Sequence, residues 1–125
     1  MVSTYPVPCA IQATTNDHLL LSELTFRARH IPELITGLRA LQDAKLHCLL
    51  LHSGSRDLPI VAEGEQIVVD FGGHKLATLS SDQLDTLEYY AMDRLLQLCK
   101  PAQRCNLRLE GANGLLVEMT VRIVD

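Results

Sequence analysis

Two pairs of short apolar runs, each pair separated by a glycine-containing turn, dominate the second half of this chain. Residues Gln66 to Leu79 alternate around Gly72-Gly73, and residues Cys105 to Val124 alternate around Ala112-Asn113-Gly114. A two-residue Gly-Gly turn and a three-residue turn that ends in Gly are both typical of β-hairpins. The sequence therefore predicts two antiparallel hairpins in this half.

Each predicted hairpin has one register that matches its apolar faces. In the first hairpin this register places Asp70 opposite Lys75 and Val69 opposite Leu76, so that charges pair and apolar side chains pair. A slip by one residue would move every side chain to the other face and break the pairing. In the second hairpin the register pairs Cys105 with Val121, Leu107 with Met119, Leu109 with Val117 and Arg108 with Glu118.

Two segments have apolar residues at helical spacing. The first runs from Pro32, which suits the first turn of a helix, to Gln42. The second opens at Ser80, which has capping-box spacing to Gln83, and ends before Pro101. Its predicted buried stripe is Leu84, Leu87, Ala91, Leu95 and Leu98.

The first half also contains strand patterns. Val7 to Thr14 and the alternating segment Leu19 to Arg29 are predicted to pair through a tight loop at Asn16-Asp17. That loop would place Ala13 opposite Leu20 and Ile11 opposite Ser22. Leu46 to Leu51 is an apolar run typical of a central strand. Leu58 to Ala62 is predicted as a short edge strand.

These elements predict an α+β fold with a mainly antiparallel sheet and two helices packed on one face. Their order along the chain is approximately ββαβ-(β)-ββαββ. A chain of 125 residues has the size of one domain, so the whole range 1–125 is expected to fold as a single α+β domain.

Composition narrows the classes of partner. The net charge is −4 and no basic run occurs, which disfavours nucleic acid as a partner. No apolar run approaches the ~20 residues of a membrane helix, and the N-terminus has no signal-peptide pattern. The four cysteines form no C-x-x-C pair, so reduced thiols in a cytoplasmic protein are expected.

No motif specifies a reaction. The loop His52-Ser53-Gly54-Ser55-Arg56-Asp57 contains Ser, His and Asp, but no nucleophile elbow surrounds the serines. Cys48 and His52 share a strand face about 13 Å apart, too far to bind one metal ion together. The sequence therefore predicts no catalytic residue, no metal and no cofactor, and favours a protein that is not an enzyme.

The strongest binding candidates are basic. Arg27, Arg29 and His30 end a strand just before the helix at Pro32, where they could hold a carboxylate or a phosphate. The alternative interpretation is a pair of solvated arginines. Four further candidates for ligand binding are His52, Arg56, Asp57 and His74.

Two hypotheses of function follow from these features. In the first, a small interaction protein, such as the inhibitor or immunity partner of another protein, occludes a basic surface with Glu63, Glu65, Asp82, Asp85 and Glu88. In the second, a small-molecule binder or small enzyme has a pocket between sheet and helices near residues 52–66. High apolar content and open sheet edges also predict a homodimer.

Overall fold

The computed structural model describes residues 4–14, 20–54, 56–64, 66–71, 74–78, 82–96 and 104–124. Within them the chain forms nine strands and two α-helices. The strands are β1 (Thr4–Pro8), β2 (Ala10–Thr14), β3 (Leu20–Arg27), β4 (Cys48–His52), β5 (Asp57–Glu63), β6 (Gln66–Phe71), β7 (His74–Thr78), β8 (Arg104–Glu110) and β9 (Leu116–Val124). The helices are α1 (Ile31–Gln42) and α2 (Gln83–Leu96), and short 3-10 helices span Ala28–His30 and Ala112–Gly114.

All nine strands belong to one mixed sheet with the order β1-β4-β5-β6-β7-β8-β9-β3-β2. Most neighbours are antiparallel, which confirms the mainly antiparallel α+β class. Two pairs are parallel, β1 with β4 and β3 with β9. Neither parallel pair was predicted, because each joins segments that lie far apart in the sequence.

The two ends of the sheet meet in one extended segment. β1 and β2 are the terminal strands of the sheet, and Cys9 alone separates them in the chain. The predicted strand Val7 to Thr14 is therefore wrong as a single strand, because the chain changes partner at Cys9. Its first part pairs with β4 and its second part with β3.

Both predicted hairpin registers in the second half are confirmed. In the antiparallel pair of β6 and β7, Asp70 lies opposite Lys75 and Val69 lies opposite Leu76. β8 and β9 show the four pairs expected for the last hairpin. Gly114 has a φ of 74°, so the left-handed residue of that loop is the predicted glycine.

The structure corrects four details of the first half and of α2. Ala13 pairs with Leu21 and Ile11 with Leu24, because an irregularity between Gln12 and Ala13 shifts the register. The strand predicted to end at Arg29 ends at Arg27 and continues as a 3-10 helix. β5 lies between β4 and β6, so it is not an edge strand.

In α2, Arg94 is buried and Leu95 is exposed, while Ser80 and Leu98 lie outside the described residues.

The core lies between the helices and one face of the sheet, which we call the inner face. Side chains from α1, α2 and the strands surround one apolar interior, among them Leu38, Leu87, Phe26 and Leu107. The void left there is about 10 Å³, which is about the volume that one water molecule needs. The opposite, outer face of the sheet is the one that is available to a ligand.

Candidate functional site

A concavity of about 520 Å³ lies on the outer face, where the two ends of the sheet meet. We call it the outer pocket. β9, β3, the β1–β2 segment and β4 supply its lining, together with the 3-10 helix at Ala28–His30 and the loop after β4. The lining residues are Pro8, Cys9, Ala10, Thr25, Arg27, Arg29, His30, His52, Ser53, Gly54, Arg122 and Val124.

Strand alternation produces this lining. On β3, Leu24 and Phe26 are buried in the core, so Thr25 and Arg27 point to the outer face. The register places Thr25 between Ala10 on β2 and Arg122 on β9. Short side chains therefore occupy the middle of this surface and long basic side chains surround them, which makes the surface concave.

The lining is cationic. It contains the guanidinium groups of Arg27, Arg29 and Arg122 and the rings of His30 and His52, and no carboxylate is present among its described residues. A guanidinium donates several hydrogen bonds in a fixed plane, which suits a phosphate or a carboxylate.

The carboxylate of Asp57 orients the ring of His52. Asp57 lies opposite His52 in the β4–β5 register, and its Oδ1 is 2.7 Å from Nδ1 of His52. A carboxylate only accepts hydrogen bonds, so Nδ1 of His52 is the donor in this pair. When His52 is protonated, its Nε2 can donate a second hydrogen bond to an anion in the pocket. In the neutral ring Nε2 is an acceptor instead.

His30 has a partner on both ring nitrogens. Arg29 donates from Nε to Nε2 of His30 at 3.3 Å, and Nδ1 of His30 lies 3.3 Å from Oε1 of Glu33. His30 therefore links Glu33 to Arg29 and positions the Arg29 guanidinium.

Glu23 holds the third basic side chain. Its Oε1 lies 3.6 Å from Nη1 of Arg122 and accepts a hydrogen bond from the hydroxyl of Thr25 at 3.1 Å. This contact fixes Arg122 beside the middle of the pocket. It also neutralises part of the charge of Arg122.

The candidate nucleophiles in the lining are not activated. Burial raises the pKa of the Cys9 thiol from 9.0 to about 12, so it stays protonated near neutral pH. The hydroxyl of Ser53 donates to the carbonyl of Arg56 at 3.0 Å, within the β4–β5 loop. Ser55 lies outside the described residues. The loop thus forms a His52–Asp57 pair, and Ser53, the serine of this loop that the structure describes, is bonded to a backbone carbonyl instead.

Four of the seven predicted ligand-binding residues meet in the outer pocket: Arg27, Arg29, His30 and His52. Asp57 joins them indirectly through His52. Arg56 is exposed in the loop and supplies a backbone carbonyl to Ser53. His74 begins β7, which β8 separates from β9, so it lies on another part of the sheet.

The four predicted acidic residues that the structure describes lie on α2 or just before it and at the end of β5. Asp82 and Asp85 are exposed at the start of α2, and Glu63 ends β5. Glu88 contacts α1, with Oε2 3.5 Å from Nε of Arg39 and Oε1 3.5 Å from the side-chain amide of Gln42. Glu65 lies outside the described residues.

Sequence reasoning missed the residues that join the two sheet ends. Arg122 follows the polar alternation of its strand, and that alternation could have placed it on the outer face. Its nearness to Arg27 depends on the parallel β3–β9 pair, for which no local pattern exists. No sequence pattern marked Pro8, Ala10 and Val124 as pocket residues, because short and apolar side chains are common in strands.

No group of three or more His, Cys, Asp or Glu side chains in the described part of the chain is placed to hold a metal ion. No described helix combines the length and the apolar character that crossing a membrane requires. In comparisons with known proteins, no protein family, no curated protein and no solved structure matches this chain.

Proposed function

We propose that this protein is a non-enzymatic binding protein whose outer pocket holds a small anion with a phosphate or carboxylate group. The observation that carries the proposal is the convergence of Arg27, Arg29 and Arg122 on one concavity whose described lining has no carboxylate. Charge-assisted hydrogen bonds to guanidinium groups are among the strongest polar contacts that a protein makes.

The positions of these groups support binding. The pocket is built mainly on strands and their ends, where pairing with both neighbours fixes the backbone. Three carboxylates outside the pocket contact its lining: Glu23 contacts Arg122 and Thr25, Glu33 contacts His30, and Asp57 contacts His52. The lining is thus held in place before a ligand arrives, which lowers the entropic cost of binding.

Isothermal titration calorimetry with inorganic phosphate at fixed ionic strength tests the proposal. We expect saturable binding with one site per chain. The double variant R27Q/R29Q should weaken it at least about tenfold, because each charge-assisted hydrogen bond is worth about 1.5–3 kcal/mol.

A matched control removes the same number of positive charges elsewhere. Lys45 and Lys75 are exposed and lie outside the pocket lining, so K45Q/K75Q should change the affinity less than about twofold. Equal losses in the two double variants would show that net charge, and not the pocket, attracts phosphate. Absence of saturable binding to the unaltered protein would also contradict the proposal.

We propose a second function for the outer surface of α2, namely docking of a basic protein partner, as an inhibitor or immunity-type protein would need. Tyr89 and Leu96 are 74% and 79% exposed, and Asp82, Asp85 and Asp93 are exposed at compatible helical spacing. Large exposed apolar side chains among acidic ones are typical of interaction surfaces.

A comparison of baits tests this second function. The immobilised protein should retain a partner from a cytosolic extract at low salt, and D82K/D85K/Y89A should lose it while R27Q/R29Q keeps it. Retention by all three baits would contradict docking through α2. The homodimer and the cytoplasmic location stay predictions; the described cysteines Cys9, Cys48 and Cys105 are free thiols, which supports a reducing compartment.

A further inference from the structure

Two arginines lie directly opposite each other beside the outer pocket. Arg104 on β8 pairs with Arg122 on β9, and both belong to the outer face because Cys105 and Val121, the next pair along these strands, are buried in the core. Arg122 lines the pocket, and Arg104 lies one strand further from it. Like charges at directly opposite positions destabilise a sheet, so this pair is unfavourable unless an anion lies near it.

The described side chains around this pair supply one carboxylate for two guanidinium groups. Oε1 of Glu23 lies 3.6 Å from Nη1 of Arg122, and no described carboxylate forms an ion pair with Arg104. The next outward-facing pair on the two strands is Asn106 with Thr120, which are uncharged and bond to each other at 3.1 Å. One positive charge of the pair is therefore not compensated within the part of the chain that the structure describes.

The arginine pair is continuous with the outer pocket. In the β3–β9 register Arg122 lies opposite Thr25 and Arg27 lies opposite Val124, so the two arginines occupy one diagonal of this group. Neighbouring strands are about 4.8 Å apart and next-but-one residues about 6.8 Å apart, which places the Arg104–Arg122 pair about 10 Å from Arg27 at the level of the backbone. A ligand along this diagonal would pass between Thr25 and Val124, which are both uncharged.

We infer that the ligand of the outer pocket is an elongated molecule with a phosphate or carboxylate group at each end. One group binds in the pocket, among Arg27, Arg29 and the other lining residues. The second lies between the guanidinium groups of Arg122 and Arg104, so that Arg104 is a binding residue outside the pocket lining. This inference rests on the proposed anion-binding function and adds the chemical class of the ligand.

Three phosphonates separate the length of a ligand from its charge. Hexamethylenebisphosphonate has an anionic group at each end and can span the two positions. Hexylphosphonate has the same chain with one such group, and methylenebisphosphonate has two groups on one carbon and cannot span. In calorimetric titrations at fixed ionic strength we expect hexamethylenebisphosphonate to bind roughly tenfold tighter than hexylphosphonate, and methylenebisphosphonate to gain less than about threefold.

R104Q tests the place of the second group, and R108Q is its matched control. Both remove one exposed arginine from the outer face of β8, but Arg108 lies opposite Glu118 and about 13 Å along the strand from Arg104. R104Q should lower the preference for hexamethylenebisphosphonate from roughly tenfold to about twofold, while R108Q keeps it and both bind inorganic phosphate as the unaltered protein does. Without ligand, R104Q should melt no lower than the unaltered protein, because a like-charge pair is removed.

The outcomes distinguish this inference from the proposed function. Saturable phosphate binding with no preference for hexamethylenebisphosphonate, or with equal gains for both bisphosphonates, overturns the two-ended ligand and leaves anion binding in place. A preference that R104Q keeps, or that R108Q loses equally, overturns the assignment to Arg104, as does a lower melting temperature of R104Q. Failure of every probe to bind, inorganic phosphate included, overturns both the inference and the proposed function. A preference that R104Q alone loses supports both.

Discussion

Individual contacts decide which groups in the outer pocket can meet an anion. Both ring nitrogens of His30 are engaged, because Nε2 accepts from Nε of Arg29 and Nδ1 lies 3.3 Å from Oε1 of Glu33. The contact of His52 with Asp57 engages only its Nδ1. Of the two histidines, His52 is therefore the one whose second ring nitrogen can contact a ligand.

The buried thiol of Cys9 should make the free energy of unfolding depend on pH in the alkaline range. Burial raises the pKa of its thiol from 9.0 in the unfolded chain to about 12 in the fold, so only the unfolded state loses this proton in that interval. The free energy of unfolding should fall by up to about 1.4 kcal/mol per pH unit between these values from Cys9 alone. Its contribution is fully present below pH 9.

Urea denaturation at several alkaline pH values measures this slope. C9A should show a shallower decline than the unaltered protein, although its stability at neutral pH is lower because buried volume is lost. Burial also raises the pKa of Cys48 and Cys105, so some slope remains in the variant. Parallel declines in the two proteins would contradict the assignment to Cys9.

At the scale of elements, α1 shows how packing overrides propensity. Gly37 is fully buried in the helix, and a Cβ placed there would lie 2.5 Å from Cδ1 of Leu49 and 3.5 Å from Cδ1 of Tyr5. In isolation a glycine weakens a helix by about 1 kcal/mol relative to alanine. Here it permits close contact between α1 and the strands β4 and β1.

G37A should therefore lower the free energy of unfolding by about 1 kcal/mol, since Leu49 is completely buried and has little room to move. In an L49A background the same change should be neutral or stabilising, because the clash is gone and the helix gains propensity. Thermal or urea unfolding of the four proteins measures this coupling. A stabilising G37A in the unaltered background would show that Leu49 moves freely.

Local elements could be predicted from the sequence because their evidence is local. The pairs Asp70–Lys75 and Leu107–Met119 depend on a turn and on alternation within about twenty residues, and both registers are as predicted. The helix from Ile31 to Gln42 follows likewise from spacing and from Pro32. In α2, by contrast, the apolar pattern favoured Leu95 as buried, yet Arg94 is buried and donates to the carbonyl of Ile123.

The candidate site could be predicted only in part. Arg27, Arg29 and His30 are adjacent in sequence, so their cluster was visible there. His52 and Arg122 reach them through the partner change at Cys9 and the parallel β3–β9 pair. Partners in the parallel pairs β1–β4 and β3–β9 are 44 and 97 positions apart in the chain, for example Thr4 with Cys48 and Glu23 with Thr120. No turn or spacing rule encodes such a pair, because its stability comes from the core that both strands share.

At the scale of the whole molecule, the N-terminal segment closes the sheet. The amide of Cys9 donates to the carbonyl of His52 at 2.9 Å. N–H directions alternate along a strand, so the amides of Tyr5 and Val7 also face β4. Pro6 and Pro8 occupy the positions whose N–H groups would face away, which removes donors from the outer edge of β1. Further pairing at this edge is thereby disfavoured.

Displacing β1 should open one end of the sheet. Val7 is completely buried, so V7D places a charge in the core and should lower stability by about 3 kcal/mol or more. Hydrogen exchange should accelerate at the amides of Cys48–His52, which pair with β1, well before it changes in β8 and β9. Uniform acceleration across all strands would indicate that the sheet opens only by global unfolding.

The most direct test of anion binding in the outer pocket is a ¹H–¹⁵N correlation spectrum titrated with inorganic phosphate at constant ionic strength. We expect saturable shifts that fit one dissociation constant and are confined to the outer pocket. The amides expected to respond are those of Cys9, Ala10, Thr25, Arg27, Arg29, Ser53, Gly54 and Arg122. Shifts that grow linearly without saturation, or that centre on α2 or on the β6–β7 hairpin, would contradict it.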